Sequence, residues 1–185
     1  NFVNINSDDG LVASSYYTLF TDKKKRTWLG SISRGIDIVE SDFSVHHESL
    51  PEIEGELVSA IIEDRHNNIW IAGKRGLLKY NARSETLFTE AQGLSTNSIS
   101  ALCEDYEGNI WVGTSSGICM FKNEAIVIYT EKEGLLLNNV SSICQDDDSA
   151  TYLGTSGAGF AILKNNRIIP QQQIKELAGN VIIAI

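Results

Sequence analysis

A repeat of about 41 residues runs through this sequence and limits what the chain can fold into. An aromatic residue follows a turn once per repeat, at spacings of 42, 41 and 41 residues. An aspartate stands six residues before each aromatic, and an apolar or aromatic residue stands six before each aspartate. Because these anchors keep one register, we interpret the chain as successive copies of one structural unit. In chain order they are Tyr16, Asp22 and Trp28; Val58, Asp64 and Trp70; Ile99, Asp105 and Trp111; Val140, Asp146 and Tyr152; and Val181, which begins a fifth copy.

The third copy indicates what this unit is. Residues 99–104 are a short apolar run bounded by turn residues, as expected of a buried strand. The turn at 105–109 leads into a second strand at 110–114, in which Gly113 indicates a close backbone approach. Two further strands follow at 118–121 and 125–130. Four strands in about 41 residues, with no helical period, are typical of a β-propeller blade.

We therefore predict an all-β fold, a partial β-propeller of four four-stranded antiparallel blades. The predicted blades are residues 16–56, 57–97, 98–139 and 140–180. Residues 1–15 are expected to be the outer strand and linker of a preceding blade, and residues 181–185 the first strand of a following one. Since a propeller removes exposed strand edges by closing a ring, we expect the remaining blades of a longer chain, or self-association, to complete it. A closed ring of these four blades is the less favoured alternative.

Charge and composition argue against several classes of partner. The net charge of −9 over 185 residues opposes binding to nucleic acid or to an anionic membrane. The basic run at 23–26 falls on a repeat turn, so we interpret it as a solvated hairpin. No apolar stretch approaches eighteen residues, so no membrane contact is expected from this segment. Cys103, Cys119 and Cys144 are interpreted as small core residues, with no disulfide joining equivalent places in neighbouring copies.

Residues suited to catalysis or metal binding are few. The only histidines are His46, His47 and His66, and the repeat does not bring three or four ligands together. We interpret the histidines as surface residues. Residues 146–148 are all aspartates but lack the spaced ligands of a calcium loop. The sequence therefore predicts no catalytic residue, no metal site and no cofactor.

Ligand binding is the remaining chemical role, because propellers bind where loops of several blades converge. The turns between the second and third strands differ among the copies, which makes them candidates. Basic side chains in such turns suit hydrogen-bonding or carboxylate-bearing ligands, and Tyr17 and Tyr106 suit stacking on sugar faces. Solvated loop residues are the alternative interpretation. The predicted ligand-binding residues are Arg34, Lys74, Arg75 and Ser116.

A family resemblance adds a functional expectation. The pattern Asp-x-x-Gly-Asn-Ile-Trp-Val-Gly-Thr-x-x-Gly-Ile, complete at residues 105–118, resembles the two-component regulator propeller repeat. The Gly-Leu-x-x-Asn linker at 93–97 and 134–138 belongs to the same pattern. The copies recur over essentially the whole chain, with Ala72 in place of a glycine and Tyr152 in place of the tryptophan.

The resemblance implies a segment of a periplasmic sensor region from a hybrid two-component histidine kinase, the extracytoplasmic part of an inner-membrane protein. Such regions typically respond to oligosaccharides from polysaccharide breakdown, which makes an oligosaccharide the expected ligand. The segment itself is expected not to be an enzyme, although the full-length chain is expected to carry a histidine kinase. The alternatives are a protein-interaction propeller without a small-molecule ligand and a fragment of a propeller lyase or hydrolase.

Overall fold

Strands account for nearly all the regular structure in the computed structural model, which describes residues 3–81, 83–122, 125–146, 149–164 and 167–170. The strands form four four-stranded sheets, and consecutive strands lie side by side in each sheet. Neighbouring strands pair in antiparallel register. The predicted all-β fold of four four-stranded blades is confirmed. The strands are β1 Tyr16–Thr21, β2 Thr27–Ser31, β3 Ile36–Val39, β4 Val45–Glu48, β5 Val58–Glu63, β6 Ile69–Gly73, β7 Leu77–Asn81, β8 Ser84–Phe88, β9 Ile99–Glu104, β10 Ile110–Thr114, β11 Gly117–Lys122, β12 Ala125–Tyr129, β13 Val140–Gln145, β14 Thr151–Thr155, β15 Phe160–Lys164 and β16 Arg167–Pro170.

The chain divides into two compact units, Asn1–Leu87 and Phe88–Ile185, called here the first and the second unit. In the first unit, β5 packs against β1 and β2, and in the second, β13 packs against β9 and β10. Each unit has its own apolar core. The first core includes Trp28, Ile38, Ile71 and Leu78, and the second includes Trp111, Ile118, Val140 and Leu153.

Glycines in the second strand of a blade permit this packing of neighbouring sheets. A Cβ on Gly30 would lie 2.6 Å from Val58 Cγ1, and a Cβ on Gly113 would lie 3.0 Å from Val140 Cγ1. Val58 and Val140 are both almost fully buried. The close backbone approach that the sequence predicts at Gly113 is therefore present, because the next blade begins against it.

An aspartate closes the first hairpin of each blade, and it is buried in the first three blades. In the second blade, Asp64 Oδ1 accepts hydrogen bonds from the backbone N–H groups of His66 and Asn68, each at 2.9 Å. Its Oδ2 accepts from Asn68 Nδ2 at 2.7 Å and from Trp70 Nε1 at 2.8 Å. The spacing of aspartate and aromatic in the sequence is thus the spacing of two hydrogen-bonded side chains.

The same hairpin closure recurs with different partners. Trp28 Nε1 donates to Asp22 at 3.0 Å, Trp111 Nε1 to Asp105 at 2.8 Å and the Tyr152 hydroxyl to Asp146 at 2.9 Å. Burial by itself raises the pKa of Asp22 and of Asp64, but the hydrogen bonds to each carboxylate outweigh burial and hold the pKa below its usual value. Both carboxylates are therefore ionised at neutral pH.

Short 3-10 helices precede the Gly-Leu linkers, which the sequence pattern did not indicate. They span Glu90–Gln92 and Glu131–Glu133. Each has a capping box, formed by Thr89 with Gln92 and by Thr130 with Glu133, and each ends on a glycine with a positive φ angle. The linker asparagines of the predicted pattern accept hydrogen bonds from the first residues of these helices, at 2.8 Å in both cases.

The structure does not test the predictions for the two ends of the chain. Within residues 3–15 the structure contains a 3-10 helix, Ser7–Asp9, and no strand, so an outer strand there stays a prediction. Residues 181–185 lie outside the described residues. No helix among the described residues is long and apolar enough to cross a membrane.

The three cysteines are free thiols. Cys119 is fully buried, as expected of a small core residue, while Cys103 and Cys144 are half-buried. Burial raises the pKa of the Cys103 thiol to about 11, so this thiol stays protonated at neutral pH.

Candidate functional site

The predicted ligand-binding residues lie in the turns between second and third strands, and their side chains are exposed. Arg34 follows β2, and Lys74 and Arg75 follow β6, all in the first unit. Ser116 follows β10 in the second unit, where its backbone N–H donates to Thr114 Oγ1 at 3.0 Å. Arg34 lines a depression of about 400 Å³ together with residues 12–15 and 32–33. Their role as ligand-binding residues stays a prediction.

The two tyrosines proposed for sugar stacking are also exposed. Tyr17 lies on β1 and is 62% exposed, and Tyr106 lies in the turn after β9 and is 57% exposed. Tyr106 lines a depression of about 400 Å³ in the second unit, described below.

A cluster of three side chains on the first blade was missed by the sequence analysis. Asp37 on β3 is 1% exposed and accepts hydrogen bonds from the Tyr16 hydroxyl and from His47 Nδ1, the latter at 2.8 Å. It also accepts from the backbone N–H of Val12 at 2.9 Å. Burial favours a higher pKa for Asp37, but these donors outweigh it and lower the pKa, while burial and the bond to Asp37 raise the pKa of Tyr16. Asp37 is thus a buried, ionised acceptor.

His47 therefore differs from the surface histidine that the sequence predicted. Its side chain is 26% exposed and is bonded to Asp37, whereas the adjacent His46 points the other way and is 45% exposed. No spacing rule marks Asp37, because it interrupts the apolar run of a strand and its partners are distant in sequence. A comparison of the four copies could have identified Asp37. At the equivalent position of the third strand, the other blades carry the apolar or small residues Leu78, Cys119 and Ala161.

The equivalent position in the third blade suggests a structural role for this cluster. The backbone N–H of Ser95 in the linker contacts Cys119 Sγ at 3.4 Å, as Val12 N–H contacts Asp37. In both blades, a side chain on the third strand therefore holds the linker that enters the blade. Asp37 holds the linker through its ionised carboxylate, which also accepts hydrogen bonds from Tyr16 and His47.

A second depression in the first unit has a different character, and we call it the hairpin basin. It has a volume of about 530 Å³ and lies between the first hairpin of blade one and that of blade two. The backbone N–H of Lys23 donates to Glu63 Oε2 at 2.7 Å, and Lys23 Nζ donates to the carbonyl of Asp64 at 2.7 Å, which joins the two hairpins beside the basin. Its lining residues are Lys24, Arg26, Glu63, His66, Asn67, Asn68, Ile69, Tyr80, Asn81 and Arg83.

The cations of the hairpin basin are not equivalent. Arg26 is engaged, since its Nε donates to Asp22 Oδ2 at 2.7 Å and its guanidinium lies 5.1 Å from the centre of the Trp28 ring. Lys24, His66 and Arg83 are exposed, and among the described residues no side-chain partner engages Lys24 or Arg83. The basic run at 23–26 is thus a hairpin turn, as predicted, but Lys23 and Arg26 are bonded to other residues whereas the side chain of Lys24 is exposed.

The floor of the hairpin basin is fixed by side-chain amides. Asn81 Nδ2 donates to Asn68 Oδ1 at 2.9 Å, and Asn68 Nδ2 donates to the buried Asp64 carboxylate. Tyr80 donates its hydroxyl to Glu48 at 3.0 Å, and burial together with this bond raises its pKa, so the phenol is neutral.

The second unit has the corresponding depression between its own first hairpins. There the backbone N–H of Tyr106 donates to Gln145 Oε1 at 2.7 Å, as Lys23 does to Glu63. Glu107 occupies the place of Lys24 and forms an ion pair with Lys122 at 3.1 Å. The two depressions therefore share a backbone design and differ in charge.

The described residues contain no group of three or more histidine, cysteine or acidic side chains placed to hold a metal ion.

Comparisons with known proteins agree with the fold and with the repeat. The two component regulator propeller family matches residues 93–116, which cover the linker, β9, its hairpin and β10. The resemblance predicted from the motifs is thus confirmed, and the chain contains a repeat of this kind. No sequence among the curated proteins matches the chain.

Solved structures with the same fold are numerous. Two are extracellular domains described as belonging to hybrid two component systems of B. thetaiotaomicron, with TM-scores of 0.79 and 0.71 and 18% identity each. The matches cover 92% and 86% of this chain, but only 24% and 22% of the two extracellular domains. This chain therefore spans about a quarter of their length. Virginiamycin B lyase from Staphylococcus aureus is similar with a TM-score of 0.73 at 14% identity, over 92% of this chain and 60% of the lyase.

Proposed function

We propose that these blades are a ligand-sensing or scaffolding segment in the extracytoplasmic sensor of a hybrid two-component system. The observation that carries the proposal is the family match at residues 93–116, because the matched hairpin recurs in all four sheets. The likeness to two extracellular domains of such systems supports it. The acidic net charge also fits a role that involves neither nucleic acid nor membrane contact.

The proposal also covers the location, the ligand and the neighbouring blades of the whole protein. We place the segment in the periplasm, as part of an inner-membrane protein, with an oligosaccharide from polysaccharide breakdown as the ligand. The remaining blades of a longer chain, or a second copy, are the proposed neighbours. Exposed apolar side chains on β1 support such a neighbour, since Leu19 is 68% exposed whereas its equivalents Ile61 and Leu102 are 5% and 8% exposed.

The proposed mechanism is a population shift. A ligand shifts an equilibrium between two receptor arrangements only by its difference in affinity for them. A rigid binding surface converts ligand contacts into such a difference, and the hydrogen-bonded hairpins supply rigidity here. The ligand therefore acts by favouring one arrangement of the blades relative to the neighbouring parts of the sensor.

Phosphorylation of the intact sensor tests this proposal. The full-length protein in membrane vesicles is supplied with ATP and with oligosaccharide mixtures from several polysaccharides, applied from the extracytoplasmic side. We expect at least one mixture to change the rate of phosphorylation. Phosphorylation that no mixture changes, together with specific capture of a protein partner by these blades, would favour the interaction propeller instead.

A lyase fragment is the second candidate, because one observation favours it. Besides the similarity to virginiamycin B lyase, His47 is oriented by a buried aspartate, which is an arrangement suited to a general base. The same aspartate holds the linker, which accounts for the cluster without catalysis. Incubation of the chain with virginiamycin B and mass analysis of the products decides the matter: turnover that His47→Ala abolishes would establish the lyase reading, and an unchanged substrate would remove it.

A further inference from the structure

We propose that the hairpin basin of the first unit binds a small organic anion that carries a carboxylate or sulfate group. This inference deepens the proposed sensor function and rests on it for the biological origin of the ligand. The binding itself is a property of residues 24–83 and is tested on its own.

Unpaired positive charge is the first observation that carries the inference. Lys24 and Arg83 line the same depression, and among the described residues neither side chain has a partner. The acid at the basin, Glu63, already accepts a hydrogen bond from Lys23 N–H. Arg26 is paired with Asp22, so Lys24 and Arg83 leave two positive charges against the single negative charge of Glu63 among the lining residues. An oxyanion balances this excess, and the guanidinium of Arg83 suits bidentate pairing with a carboxylate or sulfate.

The hydrogen-bonding groups around these cations are the second observation. The His66 ring and the Asn67 amide are exposed at the basin, and the amides of Asn68 and Asn81 are held by each other and by Asp64. A floor fixed in this way does not need to be ordered by the ligand, so less conformational entropy is lost on binding. Asn67 and His66 offer donors to hydroxyl or carbonyl groups of the same ligand.

Size limits the ligand. A volume of about 530 Å³ lies within the range of roughly 300–1,000 Å³ that is usual for small-molecule sites. The half-buried Tyr80 ring lies among the lining residues and supplies an apolar surface. A ligand of one or two rings with an acidic substituent fits this combination better than a bare inorganic ion does.

The corresponding depression of the second unit shows that the positive charge is not a by-product of the repeat. There, Glu107 takes the place of Lys24 and pairs with Lys122, whose ammonium lowers the pKa of Glu107. Asn109 takes the place of Arg26. Among the described residues the backbone design recurs, whereas the cation that lines the second depression, Lys122, is paired, so the basin of the first unit is better equipped for an anion.

Calorimetric titration of the 185-residue chain tests the inference. The probes are a disaccharide of two uronic acid units, the neutral hexose disaccharide of the same linkage, and sodium sulfate. We expect the acidic disaccharide to bind at least about tenfold more tightly than the neutral one, since hydrogen bonds to charged groups are stronger than those between neutral groups. The double variant Lys24→Ala/Arg83→Ala should weaken binding of the acidic disaccharide at least about tenfold. Competition by sulfate would identify the oxyanion group as sufficient, and its failure would identify the sugar acid as the ligand class.

A matched variant controls for the loss of two positive charges. Lys132→Ala/Lys164→Ala removes two exposed lysines of the second unit and should leave the affinity unchanged. Amide resonances of Asn67 and Asn81 should shift on binding, while those of Glu107 and Gln145 should not. The inference would be overturned if the wild type and the Lys24→Ala/Arg83→Ala variant bound the acidic disaccharide equally well. It would also be overturned if neither the acidic disaccharide nor sulfate bound. A phosphorylation response of the intact sensor that survives the double variant would also overturn this site, while leaving the sensor function in place.

Discussion

At the scale of residues, the turn aspartate is the side chain on which each blade depends most. Asp64 accepts four hydrogen bonds, two from backbone N–H groups, one from Asn68 and one from Trp70. Asp64 is 4% exposed and its donor residues Asn68 and Trp70 are also buried, so most of its donors stay poorly hydrated when the carboxylate is removed. Each donor left unsatisfied in a buried site costs about 1–3 kcal/mol. The free energy of unfolding should therefore respond strongly to this one residue.

Replacing this carboxylate gives the first prediction. Asp64→Ala should lower the free energy of unfolding by about 3 kcal/mol or more, and Asp64→Asn, which keeps one acceptor, by about 1–2 kcal/mol. Urea unfolding followed by tryptophan fluorescence measures both. Glu54→Ala, at an exposed acid in the loop before β5, is the control and should change the free energy of unfolding by less than about 0.5 kcal/mol. An Asp64→Ala protein as stable as this control would refute the role given to the hairpin aspartate.

The pH dependence of stability gives the second prediction. The pKa values of Asp22, Asp37 and Asp64 are all lower in the folded chain than usual. Their stabilisation is therefore present above the unfolded-state pKa of about 3.9 and is lost as pH falls through the folded-state values. The free energy of unfolding should fall steeply below about pH 4, and more steeply in the wild type than in Asp64→Asn. Parallel curves for the two proteins, from urea titrations between neutral and acid pH, would show that Asp64 makes no such contribution.

Some residue contacts were accessible from the sequence and others were not. The hydrogen bond between aspartate and aromatic residue could be predicted, because both partners recur at one spacing within a single hairpin. The Asp37 cluster could not, because Tyr16 and His47 lie on different strands from Asp37 and meet it only when the sheet forms. The hairpin basin was also missed, since its cations come from turns of two consecutive blades. The predicted residues Arg34, Lys74, Arg75 and Ser116 lie in the expected turns, and no observation yet tests their role.

At the scale of elements, the turn between β10 and β11 shows how closely the strands approach. Gly117 begins β11 with a φ angle of +120°, and its backbone N–H donates to the carbonyl of Asn138 at 2.8 Å. A Cβ at this position would lie 2.5 Å from the carbonyl oxygen of Tyr129, which cannot retreat without disturbing β12. Both the backbone conformation and the available space therefore require glycine there.

A pair of glycine substitutions separates these two requirements and gives the third prediction. Gly55 also has a positive φ angle, of +80°, but a Cβ there would meet no atom within 4 Å. Gly55→Ala should lower the free energy of unfolding by about 1 kcal/mol, the cost of the left-handed conformation alone. Gly117→Ala should lower it by about 3 kcal/mol, because steric overlap is added. Equal losses in urea unfolding would mean that the strands around Gly117 separate easily.

Elements with a strong period were predictable from the sequence, whereas the linkers were only partly so. The strands of the third blade begin and end within a residue of the predicted bounds, because turn residues flank each apolar run. The 3-10 helices before Gly93 and Gly134 are three residues long, too short to leave a period. Their capping boxes do leave a trace, a threonine three residues before Gln92 and before Glu133, and this trace precedes a Gly-Leu pair both times.

At the scale of the whole molecule, one apolar strand surface has no cover among the described residues. Tyr17 and Leu19 point to the same side of β1 and are 62% and 68% exposed. Serine stands in place of Tyr17 in the other three blades, at positions 59, 100 and 141. Exposed apolar surface on a strand favours association with a further blade or with a second copy.

Association through this surface gives the fourth prediction. Sedimentation velocity of the 185-residue chain should show a mass that rises with concentration, and Leu19→Glu should restore a monomer. Val127→Glu, at an apolar residue on β12 that is 39% exposed, is the matched control and should leave the association unchanged. A wild-type chain that stays monomeric at high concentration would show that β1 needs no neighbour.

The bond between consecutive hairpins has a consequence for how such proteins change over time. In both pairs described, a side chain that precedes one turn, Glu63 or Gln145, accepts from a backbone N–H of the copy before it, at Lys23 or Tyr106. A backbone N–H is present whatever side chain the earlier turn carries, so this bond does not depend on the sequence of that turn. The residues of this turn can then be substituted in one copy without a compensating mutation at this contact in the next copy. Receptors of this design can therefore diverge in the chemistry of these turns while the contact between consecutive hairpins is kept.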